Sequence, residues 1–192
     1  MTNTVGNVLQ GAPVTTGGVL IDLVGTATLP TTATATATGF TALGYVGEEG
    51  LTETINRTTD KIKAWGGDVV KVTQSEFSVT YGFTLYETQN ANVLKAVFGS
   101  ANVTSTPGDT DQGTLQAVKV NSTTRAKLPM VFDMVDGLAR IRLVVPAGQV
   151  SLSGDLTYTD AGVVGYPCTV EAFADGSGNQ AYHYLDDGVF IP

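Results

Sequence analysis

The clearest pattern in the chain is an alternation of apolar and small or polar residues between positions 77 and 85. Phe77, Val79, Tyr81, Phe83 and Leu85 are apolar, and the residues between them are serine, threonine or glycine. A period of two is the signature of a β-strand with one buried face. The pattern therefore predicts a strand whose odd-numbered side chains enter a core.

A short helix is predicted directly after this strand, over residues 90–98. Asn90 is a suitable N-cap, because its side chain can accept a backbone N–H of the first turn. Apolar residues recur between positions 93 and 98 at a spacing that places them on one side of a helix. Gly99 stands where a left-handed residue commonly ends a helix. Both ends of the helix are thus predicted.

The rest of the chain favours further strands, and together these predict an all-β fold with one short helix. Asp136-Gly137 is a strong hairpin signal between two of the strands, which makes the sheet antiparallel. The further strands are predicted at 19–24, 116–121, 126–135, 138–145, 150–159 and 164–174.

Four segments are predicted to lie outside the sheet. Residues 1–18 are polar and glycine-rich and favour an N-terminal arm. Residues 31–38 alternate threonine and alanine, which favours a mobile loop or a weak strand. Residues 102–113 favour a surface loop. Residues 175–179 favour a β-turn over a calcium loop, because the downstream bidentate glutamate of an EF-hand is missing.

An extended assembly loop is predicted at 50–75. Its apolar content is too small to bury a core by itself, so it needs a partner surface. As a hairpin with about ten residues per limb, it would extend about 30 Å. Trp65 would lie at its tip, either as an interface anchor or folded back into the core of its own subunit. The candidate contact residues are Arg57, Lys61, Lys63, Trp65, Asp68 and Lys71.

Composition sets limits on the class of protein. The chain has 192 residues, of which 15% are charged and 23 are glycine, which favours one all-β domain and disfavours a helical enzyme. It contains no run of about 20 apolar residues, and Met1–Thr4 lack the basic start of a secretory signal. We therefore expect a soluble protein made in the cytosol, with no membrane partner.

Catalysis and metal binding are not expected. A cysteine nucleophile needs a base beside it, and the chain has one cysteine, Cys168, and one histidine, His183, in unrelated settings. Cys168 fits a small apolar residue of a strand, and His183 fits a strand or surface position. One cysteine and one histidine also cannot complete a zinc site. We predict no enzyme activity and no cofactor.

Charge is segregated along the chain, whose formal net charge is −8. Residues 1–56 and 143–192 contain acidic residues and no lysine or arginine, so all ten basic residues lie between Arg57 and Arg142. The acidic part of one subunit can therefore face the more basic part of another. The alternative is an acidic surface that only keeps the protein soluble.

Three segments together resemble a known family. They are residues 43–50, residues 61–68, and the strand end 85–88 with its capped helix. In this order they are similar to the tail tube (major tail) proteins of long-tailed bacteriophages. The resemblance implies a β-sandwich or barrel-like subunit with an extended hairpin, in hexameric rings stacked into a tube that conducts DNA.

The resemblance also implies partners and a location. The partners are copies of the same chain, a tape measure protein, a tail terminator, and baseplate or tail tip proteins. Viral DNA would pass through the lumen without specific binding. The protein would belong to the virion tail and assemble in the host cytoplasm, and the loop at 50–75 would contact the adjacent ring.

A lumen for DNA should lack a basic lining, because lysine and arginine would hold the phosphates. An acidic wall repels DNA over about 8 Å at physiological salt. Asp133 and Asp155 are candidate lumen residues, and Arg140 and Arg142 are expected to lie away from the lumen.

Two other functions fit the same composition. An extracellular β-sandwich for adhesion or carbohydrate binding would also be all-β, rich in threonine and glycine, and acidic. A tube protein of a contractile injection or secretion device would share the ring mechanism and carry a different cargo.

Overall fold

The computed structural model describes residues 8–15 and 17–190. They form antiparallel β-structure with one α-helix, which confirms the predicted all-β class with a single short helix. The elements are β1 (Ala12–Pro13), β2 (Val19–Ile21), β3 (Thr41–Ala42), β4 (Thr52–Lys63), β5 (Val69–Leu85), α1 (Ala91–Phe98), a 3₁₀ turn (Ser100–Asn102), β6 (Val103–Thr106), β7 (Leu115–Val118), β8 (Lys127–Asp136), β9 (Ala139–Leu152), β10 (Tyr166–Ala172) and β11 (Tyr182–Asp186).

Nine of the strands form one sheet. Seven follow one another in the order β3-β2-β8-β9-β10-β5-β4, while β1 pairs with β8 and β11 pairs with β9. Strands β6 and β7 form a separate two-stranded sheet. Within the stretch 1–18 predicted as an N-terminal arm, β1 is attached to β8. Residues 1–7 and 16 of that stretch lie outside the described part of the chain.

The large sheet curls over itself around β9. Strand β8 pairs with β9 over residues 139–149, while the other side of β9 pairs first with β11 at 140–144 and then with β10 at 148–152. As a result, β5 and β8 face each other although β9 and β10 separate them in the sheet. The rings of Tyr81 on β5 and Phe132 on β8 stack with 5.0 Å between their centres, and Phe83 meets Phe132 edge-on at 5.7 Å. The core lies between the two curled halves.

Strand β9 corrects the prediction of two separate strands at 138–145 and 150–159. Pro146 suggests a break, yet β9 runs without interruption from Ala139 to Leu152. The ladder to β8 is irregular at this point, between the pairs of Leu128 and Met130, and a proline is tolerated where no ladder donor is required. Beside it, a side chain on Gly148 would lie 2.8 Å from Val170, so only glycine fits.

The predicted helix is confirmed. The Asn90 side chain accepts the backbone N–H of Asn92 at 2.9 Å, and the N–H of Gly99, at a φ of 88°, donates to the carbonyl of Lys95 at 2.9 Å. The helix packs on one end of the core, where the Phe98 ring meets Tyr166 edge-on at 5.6 Å. The apolar side predicted for this helix is buried and consists of Val93, Leu94, Val97 and Phe98.

Two strands differ from the sequence prediction. The surface loop predicted at 102–113 begins with β6, because Val103 is buried against the helix and anchors a short hairpin with β7. Strand β11 was not predicted, since its residues alternate between exposed and half-buried and lack an apolar run. It lies along β9, in line with β10.

The threonine and alanine segment at 31–38 forms no strand, and an arginine holds part of it. Arg142 donates to the backbone carbonyls of Thr32, at 3.1 Å, and Ala35. The same guanidinium binds Asp133 through two hydrogen bonds, of 2.5 and 2.8 Å. Arg142 is 5% exposed and Asp133 is 9% exposed. The segment is therefore a loop fixed over a buried ion pair.

This ion pair involves Asp133, one of the two residues predicted to line a lumen. The Asp133 side chain is buried and its charge is compensated by Arg142. Buried charges are stable in proteins when they are paired and hydrogen-bonded, and this requirement explains why both residues lie beneath the loop. Asp155 is exposed, in the connection from β9 to β10.

Removal of the Asp133 carboxylate should strongly destabilise the fold. In Asp133→Ala, Arg142 keeps its buried charge and loses both carboxylate contacts, which typically costs about 3–5 kcal/mol. Urea denaturation would measure the change in the free energy of unfolding. Asp155→Ala, which removes an exposed carboxylate, is the control and should change it by less than about 0.5 kcal/mol. A similarly small change for Asp133→Ala would contradict the assignment of a structural ion pair.

Candidate assembly interface

The predicted assembly loop at 50–75 is the outer part of a long β4–β5 hairpin. The ladder runs from the pair Thr52–Gly82 to the pair Lys63–Val69. Strand β10 accompanies β5 only as far as Val79, so residues 55–78 leave the sheet as a two-stranded hairpin. We call residues 55–78 the hairpin arm. At the usual rise per residue it extends about 30 Å beyond the sheet.

The two faces of the hairpin arm differ in chemistry. Residues paired across an antiparallel ladder share a face. The guanidinium of Arg57 accordingly lies 5.1 Å from the centre of the Phe77 ring. On β5, the side chains of this face follow the same alternation as Val79, whose side chain is buried in the core. It contains the pairs Arg57–Phe77, Lys61–Val72 and Lys63–Val69, while the opposite face contains Thr58–Glu76, Asp60–Thr73 and Ile62–Lys71.

The hairpin arm exposes apolar side chains over most of its length. From 55 to 72 every residue is exposed. The low apolar content of this segment indicated that it forms no core by itself, but the residues of the exposed apolar surface were not predicted individually. For the three valines, the sequence signal was the run Val69-Val70-Lys71-Val72. The exposed apolar side chains of the arm, besides Trp65, are Ile55, Ile62, Val69, Val70 and Val72.

The tip of the arm presents Trp65 to solvent. The turn is closed by hydrogen bonds from the N–H of Ala64 to the carbonyl of Asp68, at 2.7 Å, and from the N–H of Gly67 to the carbonyl of Ala64, at 3.0 Å. Gly66 and Gly67 have φ angles of 118° and 100°, which side-chain-bearing residues rarely adopt. The relative exposure of Trp65 is 106%. The alternative that Trp65 folds into the core of its own subunit is therefore wrong.

The root of the arm is fixed by polar contacts. Glu53, on β4, accepts a hydrogen bond of 2.7 Å from the Tyr81 hydroxyl and contacts Nε2 of His183 at 2.9 Å. Burial of Tyr81, and its hydrogen bond to the Glu53 carboxylate, raise the pKa of the Tyr81 phenol well above its usual range. On the other side, the Gln180 amide reaches the carbonyl of Phe77 at 3.5 Å. These contacts join β4, β5 and β11.

The residues at the root were not predicted, because they come from distant parts of the chain. Their sequence signal is limited to the Tyr-His-Tyr run at 182–184. The six residues predicted at the interface fall together on the arm or its tip, and all are exposed: Arg57, Lys61, Lys63, Trp65, Asp68 and Lys71.

The cysteine and the histidine have separate partners. The Cys168 thiol is buried in β10, as predicted for a small apolar strand residue, and donates to the carbonyl of Tyr166. His183 lies in β11 against Glu53. In residues 8–15 and 17–190, no group of three or more histidine, cysteine and acidic side chains is arranged to hold a metal ion. Within the same ranges, no helix has the length and apolar character needed to span a bilayer.

Comparison with protein families places the chain beside tail components of phages. The family model described as phage tail tube protein matches residues 5–191, which is nearly the whole chain. The match includes the hairpin arm, its root and the helix that follows. No curated protein matches the chain.

Cys168 should be chemically inert in the folded protein. Burial raises the pKa of its thiol to about 12. At pH 8 only about one in ten thousand such thiols is a thiolate, against about a quarter for an ordinary cysteine. We expect no modification by a maleimide within minutes at pH 8, and one adduct per chain by mass spectrometry once urea unfolds the protein. Rapid modification of the folded chain would contradict this placement.

Proposed function

The chain belongs to the phage tail tube protein family, and from this premise we propose that its copies close into rings of six that stack into a hollow tube for viral DNA. In this proposal the protein is a structural part of the virion tail and has no chemistry of its own. Its partners are further copies of itself, a tape measure protein, a tail terminator, and baseplate or tail tip proteins. Assembly takes place in the host cytoplasm.

The observation that supports this proposal is the exposed hairpin arm. A two-stranded hairpin is marginally stable in water by itself, because neither face is covered. This arm nevertheless carries a fully exposed tryptophan and five further exposed aliphatic side chains. Exposed apolar surface of this kind marks protein contacts. A neighbouring subunit would cover it when rings stack.

The roles of the individual residues follow from their positions. Trp65 is the anchor, since tryptophan at a protein interface contributes a large apolar area and one hydrogen-bond donor. The basic residues Arg57, Lys61 and Lys63 share a face with apolar side chains of β5, so they would frame an apolar contact and select an acidic partner surface. Asp68 and Lys71 flank the tip and would lie at the rim.

For the lumen, we retain Asp155 and leave out Asp133. An exposed carboxylate repels phosphate, whereas a carboxylate paired with Arg142 does not. Arg142 is buried, which is consistent with a channel wall free of that cation. DNA would then pass without specific binding.

The alternative functions gain no support from these observations. The family match concerns a phage tail component and not an extracellular adhesion or carbohydrate-binding module. A tube protein of a contractile injection or secretion device would share the stacked rings. The description of the matched family, however, names phage tails and no such device.

Substitution of Trp65 should separate assembly from folding. Because the indole is exposed in the subunit, Trp65→Ala should change the free energy of unfolding by less than about 0.5 kcal/mol. It should reduce tube growth at least about tenfold, since truncation of an interface hot spot typically costs 2 kcal/mol or more. Thermal unfolding and negative-stain microscopy measure the two effects.

The control is Tyr158→Ala, which removes an aromatic side chain that is 72% exposed and lies outside the arm. It should form tubes as the unchanged protein does. Tubes of normal length from Trp65→Ala would contradict the role of the arm, and a collapse of the Trp65→Ala monomer would contradict the exposed position of the indole.

A further inference from the structure

We propose that the tip of the hairpin arm docks into a specific groove on a second copy of this chain, at the opposite end of the same β4–β5 ladder. This inference rests on the proposed function and identifies the surface that receives the arm. The indole of Trp65 fills the groove, and Lys61 and Lys63 pair with Glu48 and Glu49 at its edge.

The groove lies on the outer side of the sheet. Its floor is formed by β5 at Gly82 and Thr84 and by β10 at Pro167, and one wall is the turn 47–50. The N–H of Gly47 donates to the carbonyl of Thr84 at 2.8 Å, which holds this turn against the strand. The cavity measures about 370 Å³. This volume is within the range of ligand pockets and is sufficient for an indole.

The groove and the tip lie at opposite ends of one continuous ladder. Gly82 pairs with Thr52 at the groove end, and Lys63 pairs with Val69 at the tip end. Eleven residue steps separate Thr52 from Lys63, which corresponds to about 37 Å at the usual rise. A contact between different surfaces at the two ends of identical subunits is heterologous, so it can repeat from copy to copy along one direction as an open stack. Stacking of successive copies requires this geometry.

One face of the hairpin arm and the turn at the groove carry opposite charge, while Asp60 lies on the other face of the arm and Asp68 lies in the tip turn. Glu48 and Glu49 are exposed in the turn that walls the groove, and residues 1–56 contain no basic residue. Lys61 and Lys63 precede Trp65 by four and two residues and are also exposed. Oppositely charged patches at matching positions orient a contact and exclude wrong pairings. Charge complementarity therefore favours a second copy as the occupant.

The floor of the groove has room for an aromatic ring. A side chain added at Gly82 would meet no atom within 4 Å, so the floor is open above this residue. Tyr86, which is 38% exposed, lines the same groove and offers an aromatic surface. Aromatic pairs contribute about 0.5–1.5 kcal/mol beyond the area that they bury. The indole of Trp65 is small enough for the cavity, and it lies at the end of the ladder that extends beyond the sheet.

Filling the groove tests this proposal. Gly82→Leu adds a side chain to an open floor at a residue without a positive φ, so the monomer should keep its melting temperature. Tube growth, followed by light scattering and negative-stain microscopy, should fall at least about tenfold, as expected when a central contact is blocked. Gly113→Leu, which also adds a side chain into open space but lies in the β6–β7 connection, should assemble normally. Normal tubes from Gly82→Leu would overturn the proposal.

Charge exchange provides a second test that does not change the shape of the groove. Lys61→Glu with Lys63→Glu should block stacking, and Glu48→Lys with Glu49→Lys should do the same, because each variant places like charges at the contact. All four substitutions in one chain should restore growth to within about threefold of the original rate, since opposite charges face each other again. The matched control combines Lys61→Glu and Lys63→Glu with Asp111→Lys and Asp160→Lys, two exposed acidic residues outside the groove and the arm, and it should stay blocked.

The outcomes distinguish this inference from the function on which it rests. If Trp65→Ala blocks tubes but the fourfold exchange does not restore them, the arm mediates assembly and the groove assignment is wrong. If Trp65→Ala assembles normally, the role of the arm is itself wrong. Restoration by the fourfold exchange and no restoration in the control would support the groove as the docking site.

Discussion

The hairpin arm is stable only if its root is held, and the proposed assembly depends on this constraint. Both faces of the arm meet solvent, so it contributes little apolar burial of its own. The direction of the arm is set at its root, where the Glu53 carboxylate accepts a hydrogen bond from the Tyr81 hydroxyl and contacts His183. These three residues belong to β4, β5 and β11, and Tyr81 also stacks on Phe132 in the core. The arm is therefore an extension of the core and is directed by it.

The same strand pair that carries the tip also forms part of the groove. Tip and groove are joined by one hydrogen-bonded ladder, so their separation is set by the number of residues in that ladder and not by a flexible linker. In a stack, this separation would determine the distance between successive copies. The irregularities at Thr58–Thr59 and Ile62–Lys63 lie within the arm, where a bulge increases the twist of a ladder. They would adjust the approach of the tip without altering the core.

Local sequence signals predicted the parts of the fold in which neighbours along the chain decide the structure. The alternation at 77–85 and the capped helix at 90–98 are of this kind, and both are present. Long-range contacts were not predictable. The contact of Arg142 with the loop at 31–38, and the contact of Glu53 with His183, join residues far apart in sequence. The turn at residues 64–68 was predictable from its two glycines. The exposure of that turn was not, because it depends on where the pairing with β10 ends.

The distribution of charge bears on the proposed assembly. The hairpin arm carries four basic and three acidic residues, a net charge of +1 within a chain of −8. Two free subunits therefore repel through their bodies, but this repulsion is screened over about 8 Å at physiological salt. Opposite charges at the tip and the groove act at contact distance, where screening is weaker. Each contact can then be weak, because a subunit that joins a growing tube binds several neighbours at once, and the effective concentration at the template exceeds that in solution. The proposed assembly would therefore favour growth from a template over association in free solution.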